Sequence, residues 1–247
     1  MIMLLTTICQ SEGSMRLALN LQARKDAPKR VAILSESRPE WMIALIGGFL
    51  AGVEIVALDP ALKDIELAIL CEKSLIDLLI VSRKHLSRSA EILPTKPNLC
   101  LEDHVAALKA SRSPIEVANL QYDLDRPFLN VFGSGTSGST RSIVISGRGL
   151  VYQAHSATKL FKLNSDDQLL SILPINHLFE LAAGALSPLY AGATVIYANS
   201  LMPQDIIGLM ASHNVTRMVA VPAFFKAMKK SMEIQLNQLT GNKKMLI

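Results

Sequence analysis

Phe132-Gly-Ser-Gly-Thr-Ser-Gly-Ser-Thr-Arg141 lies between two apolar, β-branched runs, Phe128-Leu-Asn-Val-Phe132 before it and Ser142-Ile-Val-Ile-Ser146 after it. Glycine lets a backbone come close to a ligand and turn its N–H groups inward, and the interspersed hydroxyls add donors. Arg141 ends the stretch with a permanent charge whose planar fork suits phosphate oxygens. A strand–loop–strand grip on phosphates, those of ATP being the leading expectation, is the reading these residues suggest. A solvated Gly/Ser linker is the alternative, but such a linker is seldom held between two apolar strands and closed by an arginine.

The run after the loop separates the phosphate motifs. Gly133, Gly135 and Gly138 fit the dinucleotide fingerprint G-x-G-x-x-G. That motif needs a helix to open at its end, because the helix N-terminus holds the pyrophosphate. Ser142–Ser146 has poor helix propensity, and the first acid downstream is Asp166. A Walker A loop would carry lysine where Ser139 stands and needs the same helix. A kinase loop does lie between strands, yet the chain has no His-Arg-Asp or Asp-Phe-Gly.

Outward from the loop, short apolar runs alternate with amphipathic stretches. Strands are expected at 30–34, 53–58, 77–82, 128–132, 142–146, 169–173, 193–198 and 216–221. Their Val, Ile and Leu content suits strands covered on both faces. Helices are expected at 39–51, 65–72, 149–163, 177–190, 203–213 and 222–234. The first begins at Pro39 and stops at Gly52, the usual asymmetry of helix ends. This alternation predicts an α/β fold of parallel-sheet lobes with helices on both faces. The polar stretch 109–126, broken by Pro114 and followed by Pro127, divides the chain into a first lobe, 1–125, and a second, 126–247, carrying the phosphate loop.

Composition bounds the rest. Half of the 247 residues are apolar and 19% are charged, so a large core is available and disorder is excluded. The net charge of +4 is spread thinly, without the basic stripe of a nucleic-acid binder. Cys9, Cys71 and Cys100 have no metal-ligand spacing, and an odd, scattered count suits a reducing, cytoplasmic setting. The apolar start, Met1 to Cys9, lacks the basic n-region of a signal peptide. The uncharged stretch Leu181–Gln204 is long enough to span a bilayer, but Gly184, Pro188, Gly192 and Pro203 fit a helix, a turn and a buried strand better. Asp166-Asp167 reads as a solvated turn, and His85, His104, His155 and His213 share no ligand spacing.

The loop resembles the signature of the adenylate-forming enzymes (acyl-CoA synthetases, related ligases and luciferases), Tyr/Phe-Thr-Ser-Gly-Thr-Thr-Gly-x-Pro-Lys-Gly. Ser134, Gly135, Thr136 and Gly138 match, and Ser137 replaces a threonine. Gly133, Thr140, Arg141 and Ser142 depart, standing for Thr, Pro, Lys and Gly. Leu173-Pro-Ile-Asn-His177 is similar to the family's second motif, Leu-Pro-x-x-His. Arg30-Val-Ala-Ile, Glu40-Trp41, Ala51-Gly-Val and Leu58-Asp-Pro60 resemble its opening strand, helix and strand. The likeness runs from about residue 28 to 230.

The resemblance implies an ATP-dependent acid–CoA ligase. Ser134, Gly135, Thr136, Ser137, Gly138, Ser139 and Arg141 would hold the ATP phosphates, and His177 would line the junction of nucleotide and acyl pockets. Glu180, on the same face one turn later, would hydrogen-bond His177 or orient a metal-bound water; no metal ligand is assigned. ATP, Mg²⁺ and CoA are the implied cofactor and co-substrates, and a fatty acid is favoured by His177-Leu-Phe-Glu180. The family's later motifs, Tyr-Gly-x-Thr-Glu and Thr-Gly-Asp, and its small C-terminal lobe do not appear. The chain is therefore expected to be the truncated large N-terminal domain of such an enzyme, incomplete alone or completed by a separate chain. A non-catalytic nucleotide- or acyl-binding module and a disfavoured Rossmann-type oxidoreductase are the alternatives.

Overall fold

The computed structural model describes residues 7–110, 123–134 and 140–244. Strand β1 (Arg30–Leu34) shows how the first sheet is built. Val31 and Ile33 enter one apolar cluster, and Ala32 and Leu34 enter another on the opposite face. β2 (Glu54–Ala57) and β3 (Leu78–Val81) divide in the same way, Ile55 and Ile80 going to the first cluster, Val56 and Val81 to the second. A period of two with both sets buried is what a central parallel strand requires.

β4 (Asn98–Cys100), β5 (Pro127–Ser134) and β6 (Thr140–Ser146) complete a six-stranded sheet of order β4-β3-β1-β2-β5-β6. All its pairings are parallel except β5–β6. β7 (Gln168–Ser171), β8 (Thr194–Tyr197) and β9 (Arg217–Met218) form a separate parallel sheet of order β8-β7-β9. The segment beyond residue 126 thus serves both sheets. Of the polar stretch 109–126, residues 111–122 lie outside the described residues.

Helices cover both faces of the first sheet. α1 (Thr7–Gln22), α2 (Pro39–Ala51) and α5 (Leu101–Ala110) bring Leu17, Trp41, Met42 and Leu101 to the first cluster. α3 (Asp64–Lys73) and α4 (Ser89–Ile92) bring Leu67, Leu70 and Ile92 to the second. The first cluster continues through Leu181 and Ala185 to Val195 and Tyr197 of β8, so one core joins the two sheets. On the far face of the second sheet, Leu170, Ile172 and Ile196 meet Ile206 of α8 (Pro203–Ser212) and Phe224 and Met228 of α9 (Pro222–Lys244).

α2 starts and stops where its Pro and Gly place it: Pro39 opens it, and Gly52 closes it in the left-handed region at φ 76°. α6 (Gly147–Phe161) is capped by Ser146, whose hydroxyl accepts the amide of Gly149. α1, α5, β4, α4 and a 3-10 turn at Arg83–Arg88 carry no sequence punctuation strong enough to announce them. The strand expected at 216–221 shrinks to two residues, because Pro222 opens α9 and holds Val221 out of the ladder.

The helix expected at 177–190 forms as a π-helix, Glu180–Leu186, followed by α7 (Ser187–Tyr190). Pro188 has no N–H for the carbonyl four residues earlier, and its ring would clash with it. The wider π-turn relieves that conflict, and the Ser187 amide and hydroxyl, the latter at 2.5 Å, both donate to the carbonyl of Ala182 five residues earlier. After α7 comes a turn at Gly192 (φ 77°) and then β8. Among the described residues, no helix is long and apolar enough to cross a membrane.

Candidate functional site

The phosphate loop hangs on the β5–β6 hairpin. β5 runs parallel to β2, so the loop leaves at the carboxyl ends of the parallel strands, the edge where open α/β sheets hold ligands. Gly133 pairs with Arg141 and Ser134 with Thr140, which closes the hairpin directly below the loop. Gly135, Thr136, Ser137, Gly138 and Ser139 lie outside the described residues. Arg141 is exposed at the base of the loop. Ser142, where the family signature has glycine, donates from its hydroxyl to Asn130 Oδ1 at 2.8 Å and ties the two strands together. Because β6 follows the loop, no helix N-terminus is available there to hold a pyrophosphate.

His177 lies beyond β7, in a turn where its amide donates to the carbonyl of Pro174 at 3.1 Å. Its side chain is exposed. Asn176 on one side of it lines a cleft, and Phe179 on the other lines an apolar pocket. The cleft, about 460 Å³, gathers the segments that follow β1, β2, β3, β7 and β8, with Ser35, Asp59, Lys84, Asn176, Asn199 and Ser200 among its walls. The pocket, about 320 Å³, is walled by Phe161, Leu169, Phe179, Ala183, Met218 and Ala220.

Glu180 does not meet His177. Its carboxyl is fully buried and accepts the Ser171 hydroxyl at 2.5 Å, while Oε2 has no hydrogen-bond partner. Burial pushes its pKa up to about 7, against the lowering effect of the Ser171 bond. The expected contact with His177 fails because Glu180 points into the core, to Ser171 and against Gly184, where any Cβ would collide with the carboxyl, while His177 is exposed.

Two polar assemblies escape sequence reasoning. Ser37 ties the segment after β1 to the segment after β7: its hydroxyl donates to the carbonyl of Leu173 at 3.1 Å and accepts the amide of Ile175 at 2.9 Å. Arg38, buried at the start of α2, holds Glu40 at 2.9 Å, Glu36 at 3.3 Å and Glu102 of α5 through a short contact. Burial alone would lower the Arg38 pKa, but Glu40 and Glu102 raise it above its ordinary value. Polar residues that bond across long sequence separations leave no local periodicity to read. Asp167 also departs from expectation, since it is buried and accepts Thr216 Oγ1 at 2.8 Å and Arg217 Nε at 3.0 Å. Cys71 and Cys100 are free and buried. Among the described residues, no three His, Cys, Asp or Glu gather as a metal site.

The model of the family described as "AMP-binding enzyme" matches residues 11–246. A CoA ligase of Gibberella moniliformis is 28% identical over 68% of this chain, which spans 28% of that protein. Long chain acyl-CoA synthetase 8 of Arabidopsis thaliana is 26% identical over 88% of this chain and 34% of its own length. The ATP-bound structure of MatB from Rhodopseudomonas palustris superposes with a TM-score of 0.74 at 21% identity, over 89% of this chain and 44% of that one. The chain therefore spans less than half the length of each of these proteins.

Proposed function

This chain belongs to the AMP-binding enzyme family, and from that premise we propose that it carries the phosphate- and acid-handling part of an ATP-dependent acid–CoA ligase. In the reaction a carboxylate oxygen attacks the α-phosphorus of ATP and pyrophosphate leaves. The CoA thiol then attacks the acyl carbonyl, a thioester forms and AMP departs. The work asked of the protein is positioning and charge stabilisation rather than protein nucleophilic chemistry.

The hairpin carries this reading. Its loop sits at the carboxyl edge of a parallel sheet, between strands, with Arg141 at its base. Backbone N–H groups of Gly135 and Gly138, the hydroxyls of Ser134, Thr136, Ser137 and Ser139, and the Arg141 guanidinium hold the β- and γ-phosphates. The phosphate charge that Mg²⁺ would share in ATP is met from the protein side by Arg141. His177 stands between Asn176, which lines the cleft, and Phe179, which lines the apolar pocket, and this supports its place at the junction of nucleotide and acyl sites. The pocket's lining of Phe161, Leu169, Phe179 and Met218 supports an apolar, fatty acid substrate. Catalysis needs the adenine, ribose and C-terminal contributions of a longer enzyme, on the same or a separate polypeptide. The setting is cytoplasmic, in keeping with free, buried Cys71 and Cys100.

Isothermal titration tests the reading. ATP with Mg²⁺ binds weakly, NAD does not bind, and Arg141→Ala abolishes the ATP heat. Binding of NAD in preference to ATP would overturn the ligase reading in favour of a dinucleotide site. ATP binding without pyrophosphate exchange is expected of the chain alone, and exchange by the chain alone would overturn its incompleteness. ATP binding with no exchange even when the missing C-terminal part is supplied favours the second reading, a nucleotide-binding module, which rests on the chain spanning less than half of its relatives.

A further inference from the structure

Glu180 is a buried acid that the proposed chemistry does not use. It sits at the first position of the π-helix, and its bond to Ser171 closes a span of nine residues over the end of β7. Inside that span lie Pro174 and His177. The His177 amide donates to Pro174 at 3.1 Å, and the His177 carbonyl accepts the Leu181 amide at 3.0 Å. Ser171 is itself buried, and Gly184 supplies the space the carboxyl occupies. The geometry is that of a clamp whose two jaws, Ser171 and Glu180, are fixed in the core while the exposed turn between them carries the histidine.

We propose that Glu180 is a positioning residue for His177, its carboxyl clamping the start of the π-helix to the end of β7 and so fixing the turn that carries the imidazole. This rests on the reading that His177 borders the ligand sites. The clamp is sensitive to protonation because of what surrounds it. From β8, the Tyr197 hydroxyl is buried without a hydrogen-bond partner; from α2, Glu40 is taken by Arg38; from α6, His155 is 3.2 Å from the Tyr190 hydroxyl of α7. None of these offers Glu180 Oε2 a cation. The neutral acid fits the site, and loss of its proton to solvent leaves an unpaired charge in an apolar wall that draws the segment towards water. The burial that lifts this carboxyl to about pH 7 puts the change near neutrality.

Amide hydrogen exchange in the whole chain tests the clamp without ATP, acid or turnover. After correction for intrinsic exchange, protection of the His177 and Leu181 amides falls roughly tenfold between pH 6 and pH 8. Glu180→Gln keeps the bond to Ser171 and holds protection constant across that range. Glu180→Ala lowers it at both pH values, while amides of β1 and β2 stay as in the wild type. A pH-independent wild type, or a Glu180→Gln variant that follows the wild-type curve, overturns the proposal, and Glu180→Gln remains decisive if the alanine variant fails to fold. The outcome is separable from the functional reading: failure of ATP to bind removes His177's ligand role and leaves the clamp standing, whereas unchanged exchange removes the clamp alone.

Discussion

The hydroxyl of Ser37 accepts the amide hydrogen of Ile175 at 2.9 Å across 138 residues of sequence. The same hydroxyl donates to the carbonyl of Leu173, so one side chain fastens the end of β1 to the segment that leads to His177. Ser37→Ala leaves two backbone groups without their partner. The expected cost is about 1–3 kcal/mol, read from urea unfolding, with faster exchange at Ile175 than at the β1 amides.

Arg38 faces three carboxylates from a buried position. Arg38→Met leaves Glu36, Glu40 and Glu102 without their shared cation and is expected to lose about 3–5 kcal/mol at neutral pH. Trp41, the single tryptophan and fully buried nearby on α2, reports that unfolding by fluorescence. The acid limb should change as well. Burial alone would raise the Glu102 pKa, but the amides of Arg83 and Glu102 and the Arg38 guanidinium bring it below the ordinary value. A depressed carboxylate contributes stability that is present above its unfolded pKa and is lost as the pH falls through the folded one. Part of that acid-side loss should disappear in Arg38→Met.

Glu180 acts with the opposite sign. Its folded pKa of about 7 lies above the ordinary 4.5, so its contribution is fully present below 4.5 and is lost as the pH rises to about 7. The span corresponds to roughly 3 kcal/mol of stability. Denaturant midpoints measured from pH 4.5 to 8 should fall in the wild type and fall less in Glu180→Gln. Equal slopes in the two proteins would remove Glu180 as their cause.

Ser142 answers a question raised by the departure from the family signature. Its bond to Asn130 satisfies a side chain that is only 9% exposed, and Ser142→Gly leaves that amide's oxygen without its donor. A loss of about 1–2 kcal/mol is expected. Asn130→Val in the Ser142→Gly background should recover part of it, because an apolar pair of similar shape has nothing left to satisfy. A glycine variant as stable as the wild type would mean that the bond contributes nothing.

The parts of this fold legible in the sequence are those set by nearest neighbours. The run at Arg30–Leu34 read as a strand because its content suits both faces being covered. Ser142–Ser146 read as one from its β-branched content although it forms an edge that leaves Ile143 and Val144 exposed, and α2 read cleanly because Pro39 and Gly52 mark its ends. The hairpin under the loop was legible for the same reason. The tie between the segments that follow β1 and β7 was not. Arg38, Asp167 and Glu180 look like surface residues until distant segments arrive to cover them, and Ser37 until Leu173 and Ile175 reach its hydroxyl. Glu180 faces away from His177 because Ser171, at the end of β7, and the space at Gly184 receive its carboxyl, and neither is a sequence neighbour.

The order β4-β3-β1-β2-β5-β6 has a consequence for synthesis. β1 is made first and stands inside the sheet; β2 joins one side of it, β3 the other, β4 then extends beyond β3, and β5 and β6 extend beyond β2. The smaller sheet follows the same rule, with β8 and then β9 added on either side of β7. Among the described strands, none has to be inserted between two that are already paired. These strands can therefore add outward as the polypeptide leaves the ribosome, and the hairpin that bears the phosphate loop is the last of them laid on the first sheet.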